Sequence, residues 1–268
     1  MTAALDPQRS YYPVAQTMVL ARRAILSVAR QPSVWFPSVL FPLLIAAVNS
    51  SAMSRAVNLP GFPDVESFWQ FLLPATLVQG VLFGGIIAGS DVALDIQDGF
   101  FDRLVASPVA RTSILLGRLS GASVLGAVQA VIFVTIFWAV GAPVRGGPLA
   151  VLTLIAMGMI LAVAVGALAA AIGLRTGSQE AVQNSFPLVF VLIFLSSAFF
   201  PTDLMSGWYQ TVARANPLSW MIDAARSLVI SGFSPTDAAQ ALGIAATLAV
   251  VAMVLALSQL RRRLAVAA

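Results

Sequence analysis

QDGFFDRLVASPVAR, residues 97–111, interrupts a chain that is otherwise almost continuously apolar. Asp98, Asp102, Arg103 and Arg111, with Gly99 and Pro108, place charge and turn residues in barely a dozen positions. If this stretch joins two hydrocarbon-length runs, the chain around it is a bundle of membrane helices with a charged element beneath the bilayer.

Composition supports that setting. Of 268 residues, 59% are hydrophobic and 10% charged, and the mean hydropathy is +0.91. A water-soluble domain of this length needs far more polar surface, so the chain is expected to be an integral membrane protein. It contains no cysteine, histidine or lysine, all fifteen basic residues being arginine. Disulfides, the common zinc and copper ligand sets, and Ser-His-Asp or Cys-His nucleophilic systems are therefore excluded. So are a Walker A lysine and a Schiff base. No metal site and no catalytic residue are expected. The arginines form no run beyond Arg261 to Arg263, which suits a membrane flank better than nucleic acid. Heavy Ala, Val, Gly and Arg usage reflects a GC-rich genome, and the expected location is a bacterial cell membrane, plasma or inner.

A bilayer core of roughly 30 Å needs about 20 apolar residues per helix. Such windows fall at 34–50, 68–90, 112–141, 148–174, 185–201 and 238–260, so the expected fold is all-α with six transmembrane helices in one domain, 1–268. With the N-terminus inside, Arg9, Arg22, Arg23, Arg30, Arg103, Arg111, Arg118, Arg175 and Arg261 to Arg263 are cytoplasmic, against Arg55, Arg145, Arg214 and Arg226 outside. Positive residues favour the cytoplasmic side, which places both termini there. Trp69, Trp138, Trp208, Tyr209 and Trp220 then fall at the outer interface, and Tyr11, Tyr12 and Trp35 at the inner one.

Residues 217–232, PLSWMIDAARSLVISG, are apolar enough to suggest a seventh helix. Asp223 and Arg226 oppose it, since a charge near a helix centre costs about 2.5–3.5 kcal/mol on insertion. The stretch is expected to lie at, or dip into, the outer interface. A cleaved signal peptide is not expected, because some 33 polar and amphipathic residues precede the first run. Within 13–31, Val14, Met18, Ala21, Ile25 and Val28 share one helical face and Gln16, Arg23, Ser27 and Arg30 the other. This suits an amphipathic helix on the cytoplasmic leaflet, or a soluble helix packing on a partner. Ser107-Pro108, Asn216-Pro217 and Ser234-Pro235 each pair an N-cap residue with a proline at the first helical position. Asp237 stands where a capping box with Ser234 would need it.

With the spans so placed, residues 91–106 lie under the membrane. Asp91, Asp95, Asp98 and Asp102 are spaced i, i+4, i+7, i+11, one acidic stripe on a helix, with Phe101, Leu104 and Val105 as an apolar surface nearby. The pattern alone reads equally as a docking helix or as a solvated loop. Gly80, Gly84, Gly85, Gly89, Gly117 and Gly121 permit close helix approach, either within one subunit or at a dimer seam.

The order DGFFDRLVASPVARTSILLGR resembles the segment after the second span of ABC-type-2 exporter permeases, in which an acidic-glycine run, an apolar stretch and a Ser-Pro-X-X-Arg element precede the third span. Residues 196–232 are similar to that family's connection between spans five and six, with Phe200-Pro201, Trp208, Asn216-Pro217-Leu218, Asp223 and Arg226 in order. With the leading amphipathic helix, the likeness covers nearly the whole chain, and it looks closest to the drug-resistance and antibiotic-export branch. It implies a permease subunit paired with a second copy or a paralogue, each resting on a separate ATP-binding subunit that holds ATP and Mg, so that no cofactor is expected in this chain. It further implies that 91–106 is a coupling helix with Asp95, Asp98, Gly99, Phe101, Asp102, Arg103 and Leu104 as contacts, and that Asn216, Pro217, Asp223 and Arg226 form an outer-helix motif.

No acidic residue sits near the middle of an assigned span, which weighs against a proton-driven secondary transporter. Thr76, Gln79 and Gln129 are the buried polar candidates for a pathway, or simple bridges between helices. The cargo class expected is amphipathic or apolar: a drug, antibiotic or lipid. Polysaccharide or glycolipid export is the alternative, and a non-transporting scaffold or receptor is not separated by residues alone.

Overall fold

The computed structural model describes Met18, Val19, residues 21–23, Ile25, Leu26, Arg30, residues 32–101, Arg103 and residues 111–266. Among these residues every regular element is helical: α1 (Pro32–Ala52), α2 (Phe68–Gln97), α3 (Arg111–Ala139), α4 (Gly147–Thr176), α5 (Gln179–Gln183), α6 (Phe186–Phe194), α7 (Gly207–Ala215), α8 (Pro217–Ile230) and α9 (Pro235–Val266), with 3-10 turns at Ser54–Asn58 and Thr202–Leu204. Those residues of the expected N-terminal amphipathic helix that fall within the description are helical. The rest of 13–31, and Asp102, Leu104 and Ser107-Pro108, lie outside the described residues.

Among the described residues, five helices are long and apolar enough to cross a membrane: Trp35–Ala52, Phe68–Gln97, Ser113–Ala139, Gly147–Thr176 and Pro235–Ala265. They coincide with the windows at 34–50, 68–90, 112–141, 148–174 and 238–260. Helix α4 packs on α2, α3 and α9, while α1 packs on α2. Helix α2 is the most enclosed, with 22 of its 30 residues buried.

The contacts define two ends of the bundle. At one, Arg226 of α8 reaches the Phe71 carbonyl near the start of α2, Gln70 reaches the Pro143 carbonyl beyond α3, and Arg145 meets Glu66. At the other, Arg118 of α3 meets Asp91 and Asp95 of α2, and Arg263 of α9 donates to the Leu174 carbonyl in the last turns of α4. These are called the Arg226 end and the Arg118 end.

The window at 185–201 is not one long helix. Helix α6 has nine residues, about 14 Å of rise, less than half a bilayer core. Its limits have local causes. The Ser185 hydroxyl donates to the Val182 carbonyl at 2.6 Å and the Ser196 hydroxyl to the Ile193 carbonyl at 2.5 Å, so that side chains compete for helical acceptors on both flanks. The Asn216 amide, 24 and 21 residues away, donates to the Leu192 and Leu195 carbonyls at 2.7 and 2.9 Å. The chain still runs from one end to the other in pieces. Val182 of α5 packs with Ala93 and Ile86, Phe186 and Phe190 stack on Phe83, and Ser197 reaches Arg226 beside Phe71.

The helix expected at 91–106 also differs. Residues 91–97 continue α2, Asp98 is its C-cap, and Gly99 turns with φ +67°. Glycine is the residue that takes this left-handed conformation freely. The acidic stripe is thereby cut: Asp91 and Asp95 belong to α2, and the residues described between Gly99 and α3 are Phe100, Phe101 and Arg103, all helical.

The small residues of α2 are used inside the subunit. A Cβ on Gly80 would meet the Phe133 ring at 2.4 Å, one on Gly84 the Gln129 amide at 2.7 Å, and one on Gly89 the Gly166 carbonyl oxygen at 2.5 Å. Of the two readings of this stripe, internal packing describes these three positions. Helix α8 is not a surface helix: ten of its 14 residues are buried, against α2 and α9. Ser234 caps α9 by accepting from the Asp237 amide at 3.4 Å, but the Asp237 carboxylate accepts from Ser227 of α8 at 2.6 Å, so it ties two helices together.

Candidate functional site

At the Arg118 end, two long helices meet beneath a turn. Asp91 and Asp95 stand one turn apart on the last part of α2, facing Arg118 in the third turn of α3. The Arg118 Nε donates to Asp95 Oδ2 at 2.8 Å, a second nitrogen contacts the same oxygen, and Nη1 lies 3.5 Å from Asp91 Oδ2. Side-chain exposures of 17% for Arg118, 14% for Asp95 and 37% for Asp91 mark Asp95 as the enclosed partner. Such a pair is screened less than one in open water.

Beyond Gly99, Phe101 is buried among Val92, Ile114, Leu115, Leu119, Leu174 and Leu260, and Arg263 approaches its ring at 5.9 Å. Phe101 thus anchors the short element to α2, α3, α4 and α9. Asp98 and Arg103 are exposed. The Arg103 Nε donates back to the Gly99 carbonyl at 3.3 Å, and Arg23 lies 4.1 Å from the Phe100 ring centre. A Cβ on Gly99 would meet nothing within 4 Å. Of the residues expected to dock a partner, Asp98, Gly99 and Arg103 form the open surface, while Asp95 and Phe101 hold it from within.

Thr76, Gln79 and Gln129 are all buried. The Thr76 hydroxyl donates to the Leu72 carbonyl at 3.0 Å within its own helix. Gln129 of α3 bridges two helices, its Nε2 donating to Ser38 Oγ of α1 at 2.7 Å and to the Gly80 carbonyl of α2 at 3.1 Å. Gln79 Nε2 and Gln129 Oε1 are buried without a hydrogen-bond partner.

At the Arg226 end, α6, α7 and α8 are bound into one corner. The Asn216 Oδ1 accepts from the Leu218 amide at 2.9 Å, capping α8. Pro217 occupies the first helical position. Arg226 is 5% exposed yet fully engaged. It donates to the carbonyls of Phe71 (3.2 Å) and Ser197 (2.8 Å) and to Asp223 Oδ1 (2.6 Å), and its guanidinium stacks 3.8 Å from the Phe71 ring centre. Burial lowers the Arg226 pKa to about 10, against the pull of Asp223, so it stays charged at neutral pH. Burial likewise pushes the Asp223 carboxyl up, with Arg226 pulling it back. A polar cavity of about 560 Å³ opens beside them, lined in part by Asp64, Arg145 and Asp203. An apolar cavity of about 330 Å³ lies between α2, α4, α6 and α9, lined by Leu82, Leu161, Leu192 and Leu248 among others.

Sequence reasoning missed Arg118 and Arg263. A signal for the first was present: when the α2–α3 hairpin is folded about residues 98–110, Asp95 and Arg118 fall at similar depth. No group of three His, Cys, Asp or Glu able to hold a metal occurs among the described residues.

A bundle of long apolar helices, a charged turn at one end and a short buried helix, α8, at the other define a multi-pass membrane protein. The chain belongs to the ABC-2 type transporter family, whose sequence pattern matches residues 15–230. It is 28% identical over 218 residues to the daunorubicin resistance ABC transporter permease protein DrrB1 of Streptomyces coeruleorubidus, covering 81% of this chain and 75% of that one. It is 27% identical over 231 residues to a protein named transport permease ycf38 in Porphyra purpurea, covering 85% and 77%. A protein of Mycobacterium tuberculosis strain H37Rv, named a probable doxorubicin resistance ABC transporter permease, DrrC, is 24% identical over 219 residues, covering 82% and 78%.

Proposed function

We propose that this chain is the permease subunit of an ATP-driven exporter that moves an amphipathic or hydrophobic drug, antibiotic or lipid out of the cytoplasm or inner leaflet. Two permeases, identical or paralogous, sit side by side, each resting on a separate ATP-binding subunit that holds ATP and Mg. The single observation that carries this reading is the turn at the Arg118 end. There Gly99 and the exposed Asp98 and Arg103 stand open, while Phe101 and Asp95 root the same element in four long helices.

The Arg118 end faces the cytoplasm in this account, in keeping with Arg22, Arg23, Arg30, Arg103, Arg118, Arg175 and Arg261 to Arg263 on that side. Both termini are cytoplasmic and the chain crosses six times, the fifth crossing being the broken path through α5 and α6. Broken backbone at membrane depth is tolerated where protein encloses it or it lines a cavity, and α6 lines the apolar cavity described above. Helices α7 and α8 form the outer corner. Thr76, Gln79 and Gln129 are the polar groups closest in kind to a pathway lining, and they become available when α1 parts from α2 and α3.

ATP binding by the partner pair pulls the turn, and the helices rooted to it switch the subunit between inward- and outward-facing states. The test is charge reversal on the open surface, Asp98→Arg with Arg103→Glu, in the reconstituted complex. The expected result is normal insertion and continuing ATP hydrolysis with loss of transport. Full transport by that variant would refute the assignment.

A further inference from the structure

The apolar cavity of about 330 Å³ beside α6 is a cleft with a buried floor and an exposed rim. Ile86 of α2 and Leu161 and Ala164 of α4 are buried at its floor, while Leu168 of α4, Leu188 of α6 and Val251 of α9 are exposed at its rim. The cleft arises because α6 has only nine residues and packs mainly on α2, leaving α4 and α9 uncovered on that side. Two polar side chains line it, and both are turned to backbone groups. The Ser185 hydroxyl donates to the Val182 carbonyl, and the Asn216 amide serves Leu192, Leu195 and Leu218. A water molecule needs about two to four polar partners, and lining atoms that face a void forfeit their dispersion contacts. What suits this cleft is hydrocarbon.

The cleft leads to positive charge. On α4, Leu161, Val165, Leu168 and Ile172 form one stripe at helical spacing, and Arg175 stands on it, seven residues beyond Leu168 and three beyond Ile172. On α9, Leu248 and Val251 line the cleft, and Leu255 and Arg262 continue their stripe. Both helices run from the Arg226 end to the Arg118 end. The hydrogen bond from Arg263 to the Leu174 carbonyl, 3.1 Å long, sets the adjacent Arg262 at the depth of Arg175. Arg175 and Arg262 are exposed, and among the described residues neither forms an ion pair. A membrane flank accounts for positive charge at the end of a helix. It does not call for an apolar cleft running up to two unmatched charges at one depth.

The geometry points to a resident phospholipid site: one acyl chain of an anionic phospholipid lies in the cleft along α4, with its phosphate between Arg175 and Arg262. Ile172 to Arg175 is about 4.5 Å of helix rise, so a chain leaving the cleft meets the guanidinium groups where its headgroup begins. Basic sites between membrane helices select anionic headgroups. Two arginines favour phosphatidylglycerol over phosphatidylethanolamine, whose ammonium they repel. The chain fills the space that a longer, regular fifth helix would have occupied. This site goes beyond the exporter reading and uses none of its steps, since the lipid is a fixture of the subunit and not its cargo.

The test is to reconstitute the full chain in bilayers of equal phosphatidylglycerol and phosphatidylethanolamine, extract it in mild detergent and count retained lipids by native mass spectrometry. The expected result is one phosphatidylglycerol per chain, in preference to phosphatidylethanolamine. Arg175→Gln with Arg262→Gln should lower that retention roughly thirtyfold, about fivefold for each arginine near an anionic surface. Arg261→Gln, which removes an exposed arginine off the α9 stripe, should leave it unchanged. Ala164→Phe puts a ring into the cleft and should abolish retention with both arginines in place. If that variant does not fold, Val251→Phe at the exposed rim makes the same measurement. Equal retention of the two lipids, equal loss with Arg261→Gln, or full retention with the cleft filled overturns the site. Displacement of the lipid one for one by daunorubicin would give the cleft to cargo and overturn it as well. No readout here uses ATP or transport, so each of these failures leaves the exporter reading standing.

Discussion

The guanidinium of Arg226 lies flat over the ring of Phe71, 3.8 Å from its centre, while its Nε donates to the carbonyl of the same residue at 3.2 Å. One side chain thus fastens α8 to the start of α2 and, through the Ser197 carbonyl, to the end of the broken fifth passage. The charge that argued against a transmembrane α8 is what seats that helix inside the bundle.

Arg226→Ala removes the donor to the Phe71 and Ser197 carbonyls in a buried corner and the partner of the half-exposed Asp223. The expected loss is about 3 kcal/mol, or roughly 10 °C in the unfolding temperature of detergent-purified protein. Arg226→Lys should recover little of it, since an ammonium lacks the planar fork that serves several carbonyls at once. Asp223→Asn should be milder, because the Asp223 side chain is 42% exposed.

Asn216 does two jobs with two ends of one amide. Its oxygen caps α8 and its nitrogen satisfies two carbonyls at the end of α6. Asn216→Ala loses both, at a cost of about 2–4 kcal/mol. Asn216→Asp keeps the cap and loses the donors, so its thermal stability should fall between that of the wild type and that of the alanine variant. Equal stability of Asp and wild type would show that the tie to α6 contributes nothing.

Gly89 and Gly243 form a matched pair. A Cβ at Gly89 collides with the Gly166 carbonyl at 2.5 Å, whereas one at Gly243 meets nothing within 4 Å. Gly89→Ala should destabilise by about 1–3 kcal/mol through forced separation of α2 and α4. Gly243→Ala should be neutral or slightly stabilising, as expected for replacing glycine inside a helix. Size-exclusion profiles after graded heating would rank the two.

Five of the long helices were legible as apolar windows, and Asn216-Pro217 and Ser234-Pro235 start helices where proline at the first helical position requires. The fifth passage was not legible as broken, because what ends α6 includes an amide more than twenty residues away in sequence. The acidic stripe was read across Gly99 because a spacing of i, i+4, i+7, i+11 carries no information on the sign of φ at one residue within it. Gly80 and Gly84 allow two readings from sequence, and Phe133 and Gln129 seated on them decide for internal packing. That partner is a tertiary fact, absent from any local pattern. Arg226 was marked by its cost in lipid, but the carbonyls that meet this cost belong to residues 71 and 197.

The central claim is that this polypeptide moves cargo only when a separate ATPase drives it. The direct measurement is cargo flux across liposomes containing the purified chain alone, the chain with its ATP-binding subunit, and that complex with a non-hydrolysable nucleotide. The account predicts flux in the second case only, with ATP consumed. Flux of equal size through the chain alone would contradict it.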